Sequence, residues 1–424
     1  MKKNIYLYFL IVSICTLILS GCSVASAFSP TMTPSLTPPP TAMAAPTMTP
    51  TATEVPFYLD ALVWSGDLDV PIVIYHKFVP DYMNTDATQM RLSDFREELQ
   101  TFYDNGFTLI PLKSWIEGDF SVPAGRKPMV LTIDDLWFGN QIFIRDDGTP
   151  SPNSGIGVLW QFSQEHPDFG FHAALFAING DKYYPEKEVG DAFYAADNVN
   201  FFSKSWHIKL GNTIAWALNN GIEVYNHTFD HPWNWSQISN TEIQDELKKN
   251  DYWLRQFLTE SGHEDLIPQL DNLIALPEGK WPESDSGKKV VLNYKNTEGK
   301  PLLAVMEAYN MDDPQYTPSP FSANFDPFHI ARITASKYMT NYIVQNKDLA
   351  PTVLSCKVGP MEEAQANNLD AVQTAIQATV ASQACAQGVY NINGNIFIAR
   401  DGTVSLFKTA GSDAVTSETT PSAQ

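Results

Sequence analysis

Short apolar runs with strand character alternate along the chain with amphipathic helical stretches, and this alternation limits the folds open to it. Helical patterns include one that opens at Ser93 and one that opens with the capping-box residues Ser239 and Glu242. Strands that alternate with helices favour a parallel sheet, arranged as an α/β barrel or as a doubly wound sheet. In both, functional side chains gather at the carboxyl ends of the strands. The strand-like runs are 70–75, 107–110, 128–133, 173–177, 222–225, 273–276, 302–306 and 330–333.

Two polar motifs each follow one of these runs. Residues 132–135 read Thr-Ile-Asp-Asp, and residues 227–231 read His-Thr-Phe-Asp-His. Either motif alone is weak evidence, because an Asp pair often ends a strand and the chain has 8 histidines. Together, one carboxylate and two imidazoles can hold a zinc-type ion and leave positions open for water and substrate. The second carboxylate is then free to act as a base on that water, so the pair predicts a metal-dependent hydrolase.

The combination resembles the polysaccharide deacetylase family, the NodB homology domain of carbohydrate esterases. The family motif Thr-Phe-Asp-Asp-Gly appears as Thr-Ile-Asp-Asp-Leu at 132–136, and His-Ser/Thr-x-x-His appears at 227–231, followed by Pro232. Residues 71–76, Pro-Ile-Val-Ile-Tyr-His, are similar to the family's opening strand. The resemblance covers residues 68–335 with long insertions. It implies α/β architecture with a distorted (β/α) barrel of the polysaccharide deacetylase type.

The resemblance also implies residue roles. Asp135, His227 and His231 would bind a divalent metal, with zinc expected first and cobalt or nickel as alternatives. Asp134 would be the general base. His76 would protonate the leaving amine, although a histidine at the end of an apolar strand can also be a core or supporting residue. The reaction implied is removal of N-acetyl groups from an amino-sugar polysaccharide.

The chain departs from the family pattern at several positions. Leu136 replaces a glycine, and we expect this to restrict the backbone there. The family's Arg-x-Pro-Tyr-Gly motif is represented only by Leu-Pro-Glu-Gly at 276–279, without the arginine that orients the base. Lys280 or Arg332 is a candidate replacement, although nothing in the sequence shows it. The late Leu-x-His motif is not evident, and His329 has no clear catalytic role.

Three tryptophans lie beside the motifs, namely Trp137, Trp233 and Trp281. Aromatic faces stack on sugar rings, so these residues are candidates to line a substrate groove. The alternative for each is packing in the core or at the rim of the site.

The N-terminus has the pattern of an export signal. Lys2 and Lys3 precede an apolar stretch over 5–19, which is shorter than the roughly 20 residues of a spanning helix. Residues 19–22, Leu-Ser-Gly-Cys, resemble a bacterial lipobox, which implies removal of residues 1–21 and lipidation of Cys22. The alternative is an ordinary secretory signal with an incidental cysteine. We therefore expect a lipoprotein anchored to the membrane at the cell surface.

The remaining chain divides by composition. Residues 22–56 are rich in Pro and Thr and form an extended linker. The catalytic domain is predicted over 57–350. An amphipathic helix and two hairpin signals, Asn-Gly at 393–394 and Asp-Gly at 401–402, predict a C-terminal helix and antiparallel β extension over 351–411. A disordered tail is predicted over 412–424.

The cysteines and the net charge lead to predictions about a disulfide and about binding partners. In an exported protein, Cys356 and Cys385 can form one disulfide or remain two buried thiols. The net charge of −21 argues against nucleic acid as a partner, because a phosphate backbone needs a basic patch. An N-acetylated polysaccharide is the expected substrate. The competing functions are an esterase or amidase of the same fold acting on another acyl group, and a catalytically impaired glycan-binding lipoprotein.

Overall fold

The computed structural model describes residues 56–66, 69–137, 140–180, 204–308, 316–346 and 349–411. The predicted signal segment, Cys22, the linker up to residue 55 and the tail from residue 412 lie outside these ranges and stay predictions. Within the described ranges, no helix has both the length and the apolar composition needed to cross a membrane.

The strands are short and mostly buried. They are β1 (Phe57–Trp64), β2 (Ile72–Tyr75), β3 (Lys77–Val79), β4 (Gln89–Arg91), β5 (Phe107–Leu109), β6 (Lys127–Leu136), β7 (Ala173–Ala177), β8 (Ile222–Asn226), β9 (Leu273–Ala275), β10 (Ala304–Met306), β11 (Ile333–Thr334), β12 (Leu354–Met361), β13 (Gly388–Ile392), β14 (Asn395–Arg400) and β15 (Thr403–Lys408).

The helices alternate with the strands as predicted. They are α1 (Leu92–Asp104), α2 (Leu112–Ile116), α3 (Gly155–Glu165), α4 (Lys204–Asn219), α5 (Asn240–Glu260), α6 (Asp285–Leu292), α7 (Lys337–Gln345) and α8 (Leu369–Ala381). The capping box of Ser239 and Glu242 is confirmed at the start of α5. The N-cap of α1 is Arg91 instead of Ser93, and it makes no side-chain capping bond.

Parallel strands form the main sheet, in the order β10-β9-β8-β7-β6-β2-β11, with β5 beside β6. The segment that enters β11 also bonds to the opposite end of this path. Ile330 forms a parallel bridge to Met306 of β10, and Ile333 pairs with Val73 of β2. The sheet therefore curls into a distorted barrel, and the predicted α/β fold class with a distorted (β/α) barrel is confirmed.

The barrel strands are apolar on both faces because both faces are covered. Successive side chains of a strand point to opposite sides. Leu131 and Ile133 of β6 pack outward in one cluster with α3 residues such as Leu159. Val130 of β6 and Phe176 of β7 belong to a separate cluster that fills the interior. Such double burial produces the near-continuous apolar runs seen in the sequence.

An antiparallel sheet of order β12-β1-β13-β14-β15 forms the second layer. Both predicted hairpins are present. Asn393 and Gly394 have φ of 53° and 82°, and Asp401 and Gly402 have φ of 51° and 75°. Two consecutive positive φ values are the geometry that tight two-residue hairpins require. Sequence analysis did not predict β1 as a member of this sheet.

One face of this sheet closes the lower end of the barrel. Trp64, Val389 and Ile396 lie in the same apolar cluster as the inward side chains of the barrel strands. Helix α8 covers the other face through residues that include Val372 and Ile376. The C-terminal residues therefore complete the core of the barrel, while the predicted domain boundary at residue 350 stays a prediction.

Two further links hold the C-terminal segment in place. Cys356 of β12 and Cys385, which follows α8, form a disulfide with a Cα–Cα distance of 6.3 Å. Lys408 of β15 pairs with Glu117 at the end of α2, and both side chains are only 12% exposed. The disulfide restricts the unfolded chain and so stabilises the folded state.

Ending the chain after residue 350 is expected to abolish cooperative folding, because it removes β12–β15 and exposes Trp64 and the lower end of the barrel core. Thermal unfolding followed by circular dichroism measures this. A chain ended after residue 411 is the matched control and should melt like the full protein. A soluble 350-residue product with a sharp transition would show that the C-terminal sheet is dispensable.

Candidate metal centre

The two predicted motifs meet at one edge of the barrel. Strand β6 carries Asp134 and Asp135 near its end, and β8 is followed directly by His227. These strands flank β7, and all three run parallel. Their carboxyl ends therefore lie together, as expected for an α/β site.

A local break in β6 turns both aspartates toward the same point. Adjacent strand residues would normally face opposite sides. The pairing of β6 with β7 shifts between Ile133 and Leu136, and Asp135 has a φ of 57°. As a result, His227 Nε2 lies 3.5 Å from Asp134 Oδ2 and 3.4 Å from Asp135 Oδ1. A bulge of this type commonly re-aims a side chain at an active site.

Leu136 has an ordinary strand backbone. It continues β6, is 1% exposed and is absent from the described non-glycine residues with positive φ. The left-handed conformation falls on Asp135 instead, and Asp is among the residues that tolerate it best. The effect of replacing the family's glycine by Leu136 stays a prediction.

His227 is held in one tautomer. Its side chain is 2% exposed, and its Nδ1 lies 2.9 Å from the carbonyl oxygen of Ala275 in β9. Since a carbonyl only accepts, Nδ1 carries the proton and donates it. Nε2 is then directed at the aspartates. Burial lowers the pKa of His227, but the charges of Asp134 and Asp135 raise it more, so the net pKa lies above the usual value. Donation of the other ring N–H to a carbonyl is common among metal-binding histidines.

His231 completes a set of three ligand atoms. It has a φ of 45°, and its Nε2 lies 3.7 Å from Asp135 Oδ1. The His227 and His231 rings have centroids 4.7 Å apart. Ligand atoms of Asp135, His227 and His231 all lie within 4.8 Å of one another. Asp135 is 26% exposed and His231 is 22% exposed, so one side of the set is open to solvent.

This set fits a zinc-type ion. Metal–ligand distances of about 2.1 Å in a tetrahedron place neighbouring donor atoms about 3.4 Å apart. The separations of 3.4 Å and 3.7 Å from Asp135 Oδ1 to the two imidazole nitrogens are close to this value. Two imidazoles and one carboxylate leave further coordination positions open, as catalytic sites do.

The environment of the site favours the metal-binding forms of Asp135 and His231, whereas the neighbouring carboxylates favour the protonated form of His227. Burial raises the pKa of Asp135. The hydrogen bond and charge of His227, together with the charge of His231, lower this pKa by more, so it lies well below the usual value. Burial and the charge of His227 lower the pKa of His231. A carboxylate and a neutral imidazole are the forms that bind metal.

Arg332 pairs with the predicted base. Its Nη1 lies 2.6 Å from Asp134 Oδ1 and its Nη2 lies 2.7 Å from Asp134 Oδ2, a bidentate pair in which the arginine side chain is 0% exposed. Its Nε donates to the carbonyl oxygen of Glu307 at 3.0 Å. Burial raises the pKa of Asp134, but the charges of Arg332 and His227 lower it more, so Asp134 is ionised at neutral pH.

Of the two candidate replacements for the missing motif arginine, Arg332 is therefore the one that contacts Asp134. It comes from the segment that closes the barrel, between Ile330 and β11, and its guanidinium also lies 5.3 Å from the ring centroid of Phe176. Lys280 is exposed and forms no described contact with Asp134. The sequence signal for this role was a charged residue, Arg332, within the apolar strand-like run 330–333.

His76 lies at the half-buried end of β2, beside the aspartates. Tyr75 of β2 pairs with Ile133 of β6, so His76 and Asp134 follow at neighbouring strand ends. The charge of His76 contributes to lowering the pKa of both Asp134 and Asp135. Gln141 is fully buried and donates to the carbonyl oxygens of His76 at 2.9 Å and Asp134 at 2.5 Å. This one side chain fixes the backbones of the two residues relative to each other.

His329 forms a further cluster with Glu307, the residue that follows β10. The buried carboxylate of Glu307 accepts from His329 Nδ1 at 2.8 Å and from Trp281 Nε1 at 2.6 Å, both at Oε1. His329 is 54% exposed, so its Nε2 faces outward. Because the carbonyl of Glu307 binds Arg332, this cluster is connected to Asp134 through one side chain. Sequence reasoning missed the pairing of Glu307 with His329.

The three tryptophans have different environments. Trp137 is 0% exposed and donates to Asn179 Oδ1 at 2.9 Å, so it cannot stack on a sugar and the predicted groove role is wrong for it. Trp233 is 86% exposed, two residues beyond His231. Trp281 is half-buried, and its ring lies 5.2 Å from that of His329. Trp233 and Trp281 therefore remain groove candidates.

Buried amides hold the strand ends behind the site. Asn250 of α5 is 0% exposed and donates to the Ala177 carbonyl at 2.7 Å and to Asn226 Oδ1 at 2.8 Å. It also accepts from the backbone N–H of Asn179 at 2.9 Å. Asn226 Oδ1 accepts from the N–H of Thr228, between the two histidines, at 2.8 Å. The role of Asn250 was not predicted, although its position on the apolar stripe of α5 was a signal for a buried polar contact.

The structure thus brings together all five predicted catalytic and metal-binding residues, and their roles stay predictions.

The chain was compared with known families, curated proteins and solved structures. No protein-family model matches the chain, and no curated protein matches it. A Streptococcus pyogenes deacetylase in complex with acetate is similar at 17% identity and a TM-score of 0.43, over 66% of this chain and 98% of that one.

Two other solved structures are similar at comparable levels. A polysaccharide deacetylase from Bacillus cereus has 14% identity and a TM-score of 0.42, over 66% of this chain and 69% of that one. A de-N-acetylase from Aggregatibacter actinomycetemcomitans has 11% identity and a TM-score of 0.39, over 64% and 99%.

Replacing His231 by Ala is expected to lower bound zinc from about one ion per chain to almost none, because it removes one of three protein ligands. Elemental analysis after equilibration with zinc and gel filtration measures the ratio. The matched control is His263→Ala, since His263 contacts Asn212 away from the site. Unchanged zinc content in His231→Ala would remove His231 from the ligand set.

Replacing Arg332 by Met is expected to lower the free energy of unfolding by about 3–5 kcal/mol, because it leaves the buried Asp134 carboxylate unpaired. Combining it with Asp134→Asn should recover much of this loss, since the amide carries no charge. Denaturant unfolding of the two single variants and the double variant measures the coupling. Strictly additive losses would show that the two side chains do not stabilise each other.

Proposed function

We propose that this protein is a metal-dependent hydrolase that removes N-acetyl groups from an amino-sugar polysaccharide at the cell surface. The observation that carries the proposal is the meeting of two carboxylates with different partners at one point. Asp135 lies with His227 and His231 in a ligand set, and Asp134 lies beside them in the fork of Arg332. Such a division between a metal ligand and a base is what hydrolysis of an amide requires.

Asp135, His227 and His231 would hold the metal, and zinc suits this set of two nitrogens and one oxygen. When bound, a divalent ion supplies Lewis acidity toward a water molecule and the carbonyl oxygen of the substrate. The proton on His227 Nδ1 is committed to the Ala275 carbonyl, which keeps Nε2 available. The open side at His231 admits water and substrate.

Asp134 would take the proton of the attacking water while the water oxygen bonds to the acetyl carbon. The bidentate bond to Arg332 keeps this carboxylate ionised and fixes its orientation. Without a partner, a carboxylate that is 3% exposed would be driven toward its neutral form. The pairing of Arg332 with Asp134 supports an active hydrolase over the alternative of an impaired, glycan-binding protein.

Cleavage of the carbon–nitrogen bond needs a proton on the leaving amine. His76 lies at the strand end next to that of both aspartates and is the proposed donor. His329 is the second candidate, because Glu307 holds its Nδ1 and leaves Nε2 outward. The products are acetate and a free amino sugar.

The polymer and its location are inferred from the surface and the N-terminus. Trp233 offers an exposed aromatic face next to the ligand loop, suited to a sugar ring. The net charge of −21 favours a neutral or cationic polymer over an anionic one. The motif resemblance favours the acetyl group, and the signal with Cys22 favours a lipid-anchored protein outside the cytoplasm.

Replacing Asp134 by Asn is expected to leave zinc binding intact and to lower acetate release by about 10²–10⁴-fold, the usual contribution of a positioned base. Acetate release from N-acetylglucosamine oligomers and metal content are measured on the same preparation. The His231→Ala variant is the contrasting case, since it should lose both. Full activity in Asp134→Asn would move the base to another residue.

The two histidines can be separated by substitution. His76→Gln is expected to lower kcat by about 10²-fold or more with little change in KM, because it removes the proton donor. His329→Gln should have a smaller effect, since its described partners are Glu307 and Trp281. The reverse order of effects would assign the donor to His329.

A further inference from the structure

The regular pairing of β2 with β6 stops one residue before the site. The last ladder pair joins Tyr75 of β2 to Ile133 of β6. The next residues of the two strands are His76, the proposed proton donor, and Asp134, the proposed base. Their relative position therefore depends also on contacts outside the ladder.

Gln141 makes such a contact with both strand ends. Its side chain is 0% exposed, and its Nε2 donates to the carbonyl oxygens of His76 at 2.9 Å and of Asp134 at 2.5 Å. A side-chain amide nitrogen carries two hydrogens, so one amide can serve both carbonyls at once. The two carbonyls only accept and cannot bond to each other, so this amide is a bridge between them.

The backbone next to the bridge is anchored to the rest of the barrel. The carbonyl of Gln141 accepts from the N–H of Ile156 at 2.9 Å, in the first turn of α3. The preceding Asn140 donates its N–H to the carbonyl of Phe78 in β3 at 3.2 Å and accepts from the N–H of Gly155 at 2.7 Å. These bonds fix the backbone here, so the amide is held against the two strand ends.

The two bridged residues depend on this amide to different degrees. The carboxylate of Asp134 is also held by the bidentate bond to Arg332, which does not involve Gln141. The imidazole of His76 makes no hydrogen bond within the part of the chain that the structure describes. Its placement therefore follows from its backbone, which Gln141 holds at the carbonyl oxygen. Loss of the bridge should displace the proposed donor more than the proposed base.

We propose that Gln141 is the positioning residue for proton transfer to the leaving group, because it holds His76 at the place from which the amine is protonated. This inference rests on the proposed function and adds a residue to it. In amide hydrolysis the water oxygen bonds to the acetyl carbon and Asp134 takes the proton of the water. The carbon–nitrogen bond then breaks, and the nitrogen keeps the electron pair and takes a proton from His76. A displaced donor slows this second step and leaves the first one in place.

A change of leaving group isolates this role. The phenolate of para-nitrophenyl acetate leaves without a proton, whereas the amine of an N-acetyl sugar or of para-nitroacetanilide needs one. Gln141→Met keeps the length of the side chain and removes both donors. We expect kcat for both amides to fall by about 10–100-fold with little change in KM, as for a misplaced catalytic group. Hydrolysis of para-nitrophenyl acetate should fall by less than about threefold, since it needs no general acid.

The loss should also depend on His76. In the double variant with His76→Gln, the change Gln141→Met should cause no further loss of amide turnover, whereas independent roles would multiply the two losses. The matched control is Gln244→Met, at an exposed glutamine of α5, and it should leave all rates unchanged. Melting curves and zinc content are measured on every variant and should show a folded protein with unchanged zinc. If Gln141→Met does not fold, Gln141→Asn makes the same comparison, because its amide is one methylene too short to reach both carbonyls.

Three outcomes would overturn the role of Gln141, namely equal losses with amide and ester, unchanged amide turnover, and multiplied losses in the double variant. Hydrolysis of para-nitroacetanilide without acetate release from N-acetylglucosamine oligomers would contradict the proposed polysaccharide substrate and leave the role of Gln141 intact. Absence of turnover of both amides by the unchanged protein would contradict both proposals.

Discussion

The site depends on the buried ion pair between Arg332 and Asp134. Neither side chain is more than 3% exposed, so each would carry a large desolvation cost without the other. The pair also joins two distant parts of the barrel, because Asp134 lies on β6 and Arg332 lies in the segment that bridges β10 to β2. The segment that closes the barrel therefore also supplies the side chain that orients the proposed base.

Backbone strain around this pair has a clear spatial pattern. Asp135, Thr228, His231 and Glu278 all adopt positive φ, and each lies in a loop or strand end at the site. A non-glycine residue in this region costs on the order of 1–3 kcal/mol and persists only where its surroundings hold it. Buried hydrogen bonds from Asn250 to the ends of β7 and β8 supply such support. The strain aims carboxylates and imidazoles that regular strands would point apart.

Sequence patterns predicted the parts of this structure that depend on local order. The parallel strands, the capping box at Ser239, both hairpins and the polar motifs follow from short-range rules. Arg332 could not be assigned, because 198 residues separate it from Asp134 and only barrel closure brings them together. The burial of Trp137 and the place of β1 in the C-terminal sheet also depend on long-range packing. The positive φ of Asp135 could not be predicted either, because it depends on a local shift in the pairing of β6 with β7.

Metal-dependent acetate release is the measurement that tests the central claim most directly. Purified protein is treated with a chelator, and acetate release from N-acetylglucosamine oligomers is then followed as zinc, cobalt or nickel is added back. The account predicts no release after chelation and recovery of activity at about one metal ion per chain. Release that survives complete metal removal, or no release with any of the three metals, would contradict it.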